Sequence, residues 1–410
     1  MNRWLFLIQR TSRQLWWRAS LYALFGVLAA LLAAVGAPYV PEALADRLGG
    51  SSVEAVLTIL ASSLLAVATF SLGAMVTAYT SVSSSATPRA AALVTGDEST
   101  QKSLATFVGA FLYSVVGVTA INAEYYGPGG RAILFILSLA VVALVAFRLL
   151  AWVSRLTSLA RLGHTIAQVE ARTAAAMQAY ARSPRLGGAE GHVADGVEIG
   201  SAAAGHVQNI DVHLLQSLAE AQDRQVEVLV RPGAFMMRGQ PLARLSGGRP
   251  DEEGLAAWRE AFILDADRTF DQDPRYGLIV LGEIAAKALS PGINDAGTAI
   301  QVISTGARLL DDWALTCQGA EGDSGSCNRL FVPLVSARDM VEDLYAPIIR
   351  YGSSDVSVAI KMQKTLAVLS QRDGDLGRAA QHAAQWAREA ALRKLDDPVD
   401  RAAFEDDTGV

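Results

Sequence analysis

The sequence predicts an α-helical membrane protein. Four transmembrane helices lead into a cytoplasmic α+β region, made of a small β-barrel or barrel-sandwich-like module and a helical domain. Three observations carry this expectation. Residues 19–41, 55–88, 103–123 and 132–147 contain no Asp, Glu, Lys or Arg, and a spanning helix needs about 20 apolar residues. Of the 410 residues, 51% are hydrophobic and only 19% are charged, which is apolar for a soluble chain. Charge is also split along the chain. Residues 1–155 carry ten Lys/Arg and six Asp/Glu, and the remainder carries 25 and 35.

The first uncharged run follows a basic start and ends in small residues, Ala33-Ala-Val-Gly-Ala37. Pro38 at the would-be cleavage point and the long leading segment favour a retained helix over a signal peptide. Residues 1–18 mix Trp4, Phe6, Trp16 and Trp17 with Arg3, Arg10, Arg13 and Arg18. That mixture suits a helix lying in the membrane interface. The fourth run reaches spanning length if Arg148 snorkels toward the headgroups.

Orientation follows from the cations. One side of the four helices collects Arg3, Arg10, Arg13, Arg18, Arg89, Lys102, Arg148, Arg155 and Arg161; the other has Arg47 and Arg131. The positive-inside rule places both termini and the large second half in the cytoplasm of a bacterial inner membrane. Cys317 and Cys327 are then expected as thiols. The acidic second half excludes nucleic acid as a partner, since phosphate contacts need a basic patch. The lipid bilayer and further copies of the chain are the expected partners.

The second run carries a stripe. Thr58, Ser62, Ala66, Thr69, Gly73, Thr77, Thr80 and Ser84 fall within roughly 100° of arc on a helix. Small and hydroxyl residues at this spacing mark either close helix packing or the wall of a water-filled path. Glu124, at the outer end of the third run, reads as a solvated loop carboxylate or as part of an acidic pore mouth.

Beyond the membrane, residues 154–182 repeat Leu156, Leu159, Leu162, Ile166, Val169 and Met177 at helical spacing. Ser183-Pro-Arg-Leu-Gly-Gly188 ends that helix. Short alternating runs follow at Val207–Ile210 and Val226–Val230, with Asp211 capping a short helix between them. Gly233 and Gly239 resemble the paired turns of biotinyl/lipoyl carrier-like barrels. No lysine lies between Lys102 and Lys287, so the module cannot be a lysine-modified carrier. The boundaries that result are 1–18 for the interfacial helix, 19–153 for the membrane domain and 154–190 for a connecting helix and linker. They continue with 191–250 for the β module, 251–400 for the helical domain and 401–410 for a disordered tail.

Two stretches invite a functional reading. Asp265, Asp267, Asp271 and Asp273, beside Arg275, gather four carboxylates in nine residues. They could chelate a divalent metal but lack calcium-loop spacing and its glycine, and they read as a solvated, capping face or as the core of a membrane-anchored enzyme. Ser290-Pro-Gly-Ile-Asn-Asp-Ala-Gly-Thr298 is a punctuated corner. Pro291 and Gly292 stop one helix, and Asn294 and Asp295 are placed to cap the next. Arg275, Pro291, Gly292, Asn294, Asp295 and Thr298 are the candidate ligand or interface residues, although a helix from Gly277 to Leu289 holds Arg275 about 20 Å from the corner. His164, His192, His206, His213 and His382 form no metal motif, so no metal or cofactor is expected.

The chain resembles a known family at Phe70-Ser-Leu72, Pro88-Arg89, Phe107-Val-Gly-Ala-Phe-Leu-Tyr113, Val207-Gln-Asn-Ile-Asp211, Val230-Arg-Pro-Gly233, Asp273-Pro-Arg-Tyr-Gly277 and Ala288-Leu-Ser-Pro-Gly-Ile-Asn-Asp295. It is similar there to the bacterial predicted membrane proteins called domain of unknown function 2254. The resemblance spans roughly residues 15–350 and implies a membrane location without an assigned activity. Ala234 departs from it, because the family tends to an acidic residue after the glycine. Taken together, the expected function is an oligomeric channel- or transporter-like protein with a cytoplasmic ligand-sensing domain. The alternatives are a non-conducting membrane-anchored scaffold, or an enzyme using the Asp265–Arg275 cluster.

Overall fold

The computed structural model describes residues 15–48, 52–95, 97–159, 161–319 and 327–408. They form two compact units. One lies within Ile8–Ser84 and Pro88–Thr165; the other is Ile166–Val410 with Ser85–Thr87. The interfacial helix expected over 1–18 lies outside the described residues up to position 14.

The first unit is all helical. It contains α1 (Leu15–Gly36), α2 (Glu42–Leu48), α3 (Ser52–Ser85), α4 (Pro88–Thr95), α5 (Glu98–Asn122) and α6 (Pro128–Leu159). Among the described residues three helices are long and apolar enough to cross a membrane: α3, α5 and Pro128–Leu156 of α6. The sequence led us to expect four. The first is shorter because its apolar stretch is Trp17–Ala33. The chain then tightens into a 3-10 turn at Ala37–Tyr39, where Pro38 has no N–H to extend the helix.

Glycine sets how closely α1 and α5 approach. A Cβ on Gly26 would stand 2.6 Å from the Gly109 carbonyl oxygen, and one on Gly109 would stand 2.8 Å from that of Tyr22. The backbones therefore touch, as small residues permit in membrane helices. The hydroxyl of Tyr113 donates to the Leu134 carbonyl at 3.0 Å, and that of Tyr126 to the carbonyl of Ala30. These bonds satisfy polar groups that hydrocarbon cannot. At the end of α5, Asp97 accepts from the Thr100 amide and from Arg155 Nη2 at 2.6 Å. Burial raises the Asp97 carboxyl, but the Arg155 and Thr100 hydrogen bonds outweigh it and hold the group below its usual range.

The continuous helix expected over 154–182 is two. α6 carries on to Leu159, and α7 runs Leu162–Arg182. In the second unit the strands are β1 (Gly188–Ala189), β2 (Gly196–Gly200), β3 (Gly205–Ile210), β4 (Val226–Val228), β5 (Phe235–Met236), β6 (Pro241–Ser246), β7 (Phe262–Asp265) and β8 (Cys327–Phe331). They build a five-stranded sheet of order β1-β8-β4-β6-β2 and a three-stranded sheet of order β5-β3-β7. β8 joins β1 and β4 in parallel. A self-contained module over 191–250 is thus replaced by two sheets that recruit β7 and β8 from the stretch read as helical. One apolar core, including Ile199, Ile210, Val226, Leu245, Trp258 and Leu330, unites them. α8 (Val212–Ala221) starts where expected, with Asp211 accepting from the Leu214 amide. α9 (Glu252–Arg259) precedes β7.

The rest is a helical layer: α10 (Tyr276–Ala288), α11 (Ala296–Gly319), α12 (Ala337–Gly352), α13 (Val356–Leu369), α14 (Gly374–Lys394) and α15 (Pro398–Thr408). Gly282 and Gly306 have no side chain to hold α12 away. A Cβ on Gly282 would meet the Asp343 carbonyl at 2.9 Å. The tail expected to be disordered is helical as far as Thr408. Phe404, fully buried against Ala359, Ala391 and Leu395, fastens it to the layer.

Candidate functional site

A groove of about 650 Å³ opens beside the smaller sheet. Its floor is the turn that connects β4 to β5, Val230-Arg-Pro-Gly233. Gly233 takes φ +87° and donates its amide to the Val207 carbonyl at 2.8 Å. The positive φ suits glycine, and space demands it as well. A Cβ there would fall on Asp273 Oδ2 and Arg268 Nη2, closer than non-bonded atoms can sit.

Three guanidinium groups line the groove, Arg231, Arg268 and Arg275, with apolar walls from Phe235, Met236 and Pro333. No carboxylate is among the lining residues; each arginine is paired with one. Arg268 Nε and Nη2 donate to Asp273 Oδ2 at 2.9 and 2.6 Å, and its guanidinium lies 5.3 Å from the Tyr276 ring centre. Arg275 grips Asp343 with Nε and Nη2 at 2.6 and 3.0 Å and reaches Asp339 with Nη1 at 3.0 Å. Arg231 has one longer contact, Nη1 to Asp339 at 3.4 Å, and its buried Nε has no partner.

Asp273 is 3% exposed and also accepts from the amides of Arg275 and Tyr276. Burial pushes its carboxyl up from the usual carboxylate range, against the opposing pull of Arg268. Asp339 and Asp343 lie one turn apart on α12, so one face of that helix holds Arg275 from two points. The N–H groups these pairs leave unused can serve an oxyanion.

The sequence candidates separate in space. Arg275 belongs to the groove. Pro291, Gly292, Asn294, Asp295 and Thr298 lie beyond the far end of α10, where residues 291–294 are exposed. Asp295 alone caps α11, accepting from the Thr298 amide at 3.0 Å and the Thr298 hydroxyl at 2.6 Å. Asn294 instead takes a left-handed φ of +51°; the paired cap expected there is a single cap after an αL residue.

The carboxylates of 265–273 do not converge. Asp265 accepts from its neighbour Ala266, Asp273 faces Arg268, and Asp271 borders a separate 250 Å³ cavity with His213. Among the described residues no three His, Cys, Asp or Glu side chains are placed to hold a metal. His206 meets the Gly233 carbonyl through Nδ1 at 3.2 Å and stacks edge-on with Phe235. Neither Cys317 nor Cys327 is in a disulfide, and burial pushes the Cys317 thiol up to about 11.

On α3 the stripe is turned away from the rest of the unit. Leu57, Leu60, Leu64, Met75 and Val82 form its buried face. Thr58, Ser62, Thr69, Gly73, Thr77 and Thr80 are all exposed, and nothing lies within 4 Å of a Cβ on Gly73. The hydroxyls bond their own helix: Thr69 Oγ1 to the Leu65 carbonyl at 2.9 Å and Thr77 Oγ1 to that of Gly73 at 3.0 Å. The stripe therefore does not pack within one copy. Glu124 is an exposed loop residue with φ +55°.

Sequence reasoning found Arg275 and missed Arg231, Arg268, Asp339 and Asp343. The i, i+4 spacing of Asp339 and Asp343 was the available signal. Arg231 sat inside a stretch noted only for its glycine turn.

No solved structure matches the chain. Uncharacterized protein Mb1321c of Mycobacterium bovis and uncharacterized protein Rv1290c of Mycobacterium tuberculosis are each 28% identical to it over 219 residues. The alignment covers 51% of this chain and 42% of each relative, so the chain spans less than half the length of these relatives. The model of the DUF2254 family, described as predicted membrane proteins, matches residues 12–368, the greater part of the sequence and both units. The chain belongs to that family.

Proposed function

We propose that this membrane protein works as an oligomeric, channel- or transporter-like assembly whose α/β unit senses a small ligand in the arginine groove. One observation carries the reading: the hydroxyl stripe of α3 is exposed over the length of a helix long enough to cross the bilayer. A polar stripe facing lipid gains nothing. Facing an axis shared with other copies, it wets a path. We place α1 in the membrane as a fourth span. Leu24, Phe25, Leu28, Leu32 and Val35 are exposed along it, a surface that only hydrocarbon solvates well, and its backbone touches α5. The positive-inside count puts both termini and the groove on the cytoplasmic side of a bacterial inner membrane.

The test is flux from liposomes containing the purified protein. The wild type is expected to release small ions, and Thr69→Leu with Thr77→Leu to block release without altering assembly. Absence of flux of any ion or small solute from the wild type overturns conduction. Loss of assembly in the leucine variants favours a non-conducting scaffold whose copies pack through the stripe.

A further inference from the structure

The geometry points to the groove as a site for a small organic phosphate, held by Arg231 and Arg268 with its organic part against Phe235. The inference rests on the ligand-sensing half of the reading above and is independent of conduction. Failed flux leaves it standing, and failed binding leaves the α3 path standing.

Charge placement is the first argument. Every charged residue that lines the cavity is an arginine; Asp273, Asp339 and Asp343 are paired with those arginines and are not among the lining residues. A ligand entering the groove meets N–H donors and no carboxylate.

The second argument is what the arginines leave unused. Arg275 is occupied on all three nitrogens. Arg268 spends Nε and Nη2 on Asp273 and leaves Nη1. Arg231 spends Nη1 on a 3.4 Å contact with an Asp339 oxygen already taken by Arg275, and its Nε is buried without an acceptor. Arg231 Nη2 and Arg268 Nη1 are left without a hydrogen bond, and an oxyanion in the groove supplies the acceptor. Arg231 and Arg268 come from separate loops, one before β5 and one after β7. The tetrahedral oxygens of a phosphate present acceptors in three dimensions and carry more charge than a carboxylate, whose acceptor sites lie in one plane.

Size and lining complete the ligand class. The volume of about 650 Å³ is that of a small-molecule pocket, larger than a bare phosphate needs. Phe235, 55% exposed, offers the apolar wall for an organic substituent.

The experiment is titration calorimetry on the full-length protein in detergent, with inorganic phosphate, phenyl phosphate and succinate as probes. Phenyl phosphate is expected to bind at least tenfold more tightly than phosphate, and succinate more weakly than either. Binding should weaken with rising salt. Arg231→Met is expected to weaken phenyl phosphate at least tenfold, with Arg231→Lys intermediate. Ala234→Glu, which sets a carboxylate in the groove wall without removing an arginine, should do the same if Arg231→Met fails to fold. Repeating the titration in phosphatidylcholine nanodiscs with and without phosphatidic acid separates the two sources of phosphate. Competition by phosphatidic acid assigns the site to a lipid headgroup, and unchanged affinity assigns it to a soluble ligand. No binding of phenyl phosphate at millimolar concentration, or unchanged affinity in both folded variants, overturns the inference.

Discussion

Gly233 and Asp273 occupy space that no side chain at position 233 could share: its Cβ would fall on the Asp273 carboxylate. The turn that forms the groove floor and the buried carboxylate that anchors Arg268 are therefore built against each other. Gly233→Ala adds that clash to a φ of +87°. We expect a loss of about 2 kcal/mol or more, since a non-glycine residue in the left-handed region costs roughly 1–3 kcal/mol on its own. Thermal melting of the detergent-solubilised protein measures it, and an unchanged midpoint would count against the crowded geometry.

Arg268 and Asp273 form a pair in which removing one partner strands the other. Arg268→Met leaves a 3% exposed carboxylate without its cation, a change that costs about 3–5 kcal/mol at buried sites. Arg268→Met combined with Asp273→Asn should recover part of that loss. Burial already lifts the Asp273 carboxyl above its ordinary value, so the folded state takes up this proton more readily than the unfolded state. Stability from this group is present at low pH and is lost as pH rises through the raised value. The deficit of Arg268→Met should accordingly shrink on moving from pH 8 toward pH 5. A deficit that grows on acidification would contradict the assignment.

At the corner after α10 the two polar residues do different work. Asp295→Ala removes the cap of α11 and should cost about 1 kcal/mol. Asn294→Gly should be neutral or slightly stabilising, because Asn294 holds a left-handed φ. The Thr298 hydroxyl and amide hold the Asp295 carboxyl below its ordinary range. Its contribution is therefore present above the unfolded value and disappears as pH falls through the depressed one. Unfolding curves of the two variants at pH 7 and pH 3 separate these roles. A larger loss from Asn294→Gly than from Asp295→Ala would reverse them.

Topology can be read from Gly127, where an added Cβ would meet nothing within 4 Å. A cysteine introduced there, in a chain lacking Cys317 and Cys327, is expected to react with an impermeant thiol reagent in intact cells. A cysteine at Gly292, equally open and in the other unit, should stay unlabelled until the membrane is permeabilised. The opposite pattern would invert the orientation.

Much of the fold was legible from local signals. Three of the four apolar runs, the Asp211 cap, the turns at Gly233 and Gly239 and the break at Pro291 each depend on neighbours in sequence, and each stands where its residues imply. Long-range pairing was not legible. β8 reads as five residues after a Gly/Ser-rich loop, and only its parallel partners β1 and β4 make it a strand. Phe404 turns a charged tail into a packed helix through contacts with Ala359 and Ala391. The groove falls between these cases. Arg275 stood out beside its acidic neighbours, but its partners lie 64 and 68 residues away. The α3 stripe was visible as a pattern, while its outward direction needed the buried face formed by Leu57, Leu60 and Leu64.

The most direct measurement is a structure of the protein assembled in lipid nanodiscs, at a resolution that shows ordered water. The account predicts several copies around one axis, with Thr69 and Thr77 of each facing a hydrated path along it. A monomer, or an assembly in which Thr69 and Thr77 face lipid or a dry helix contact, would contradict it.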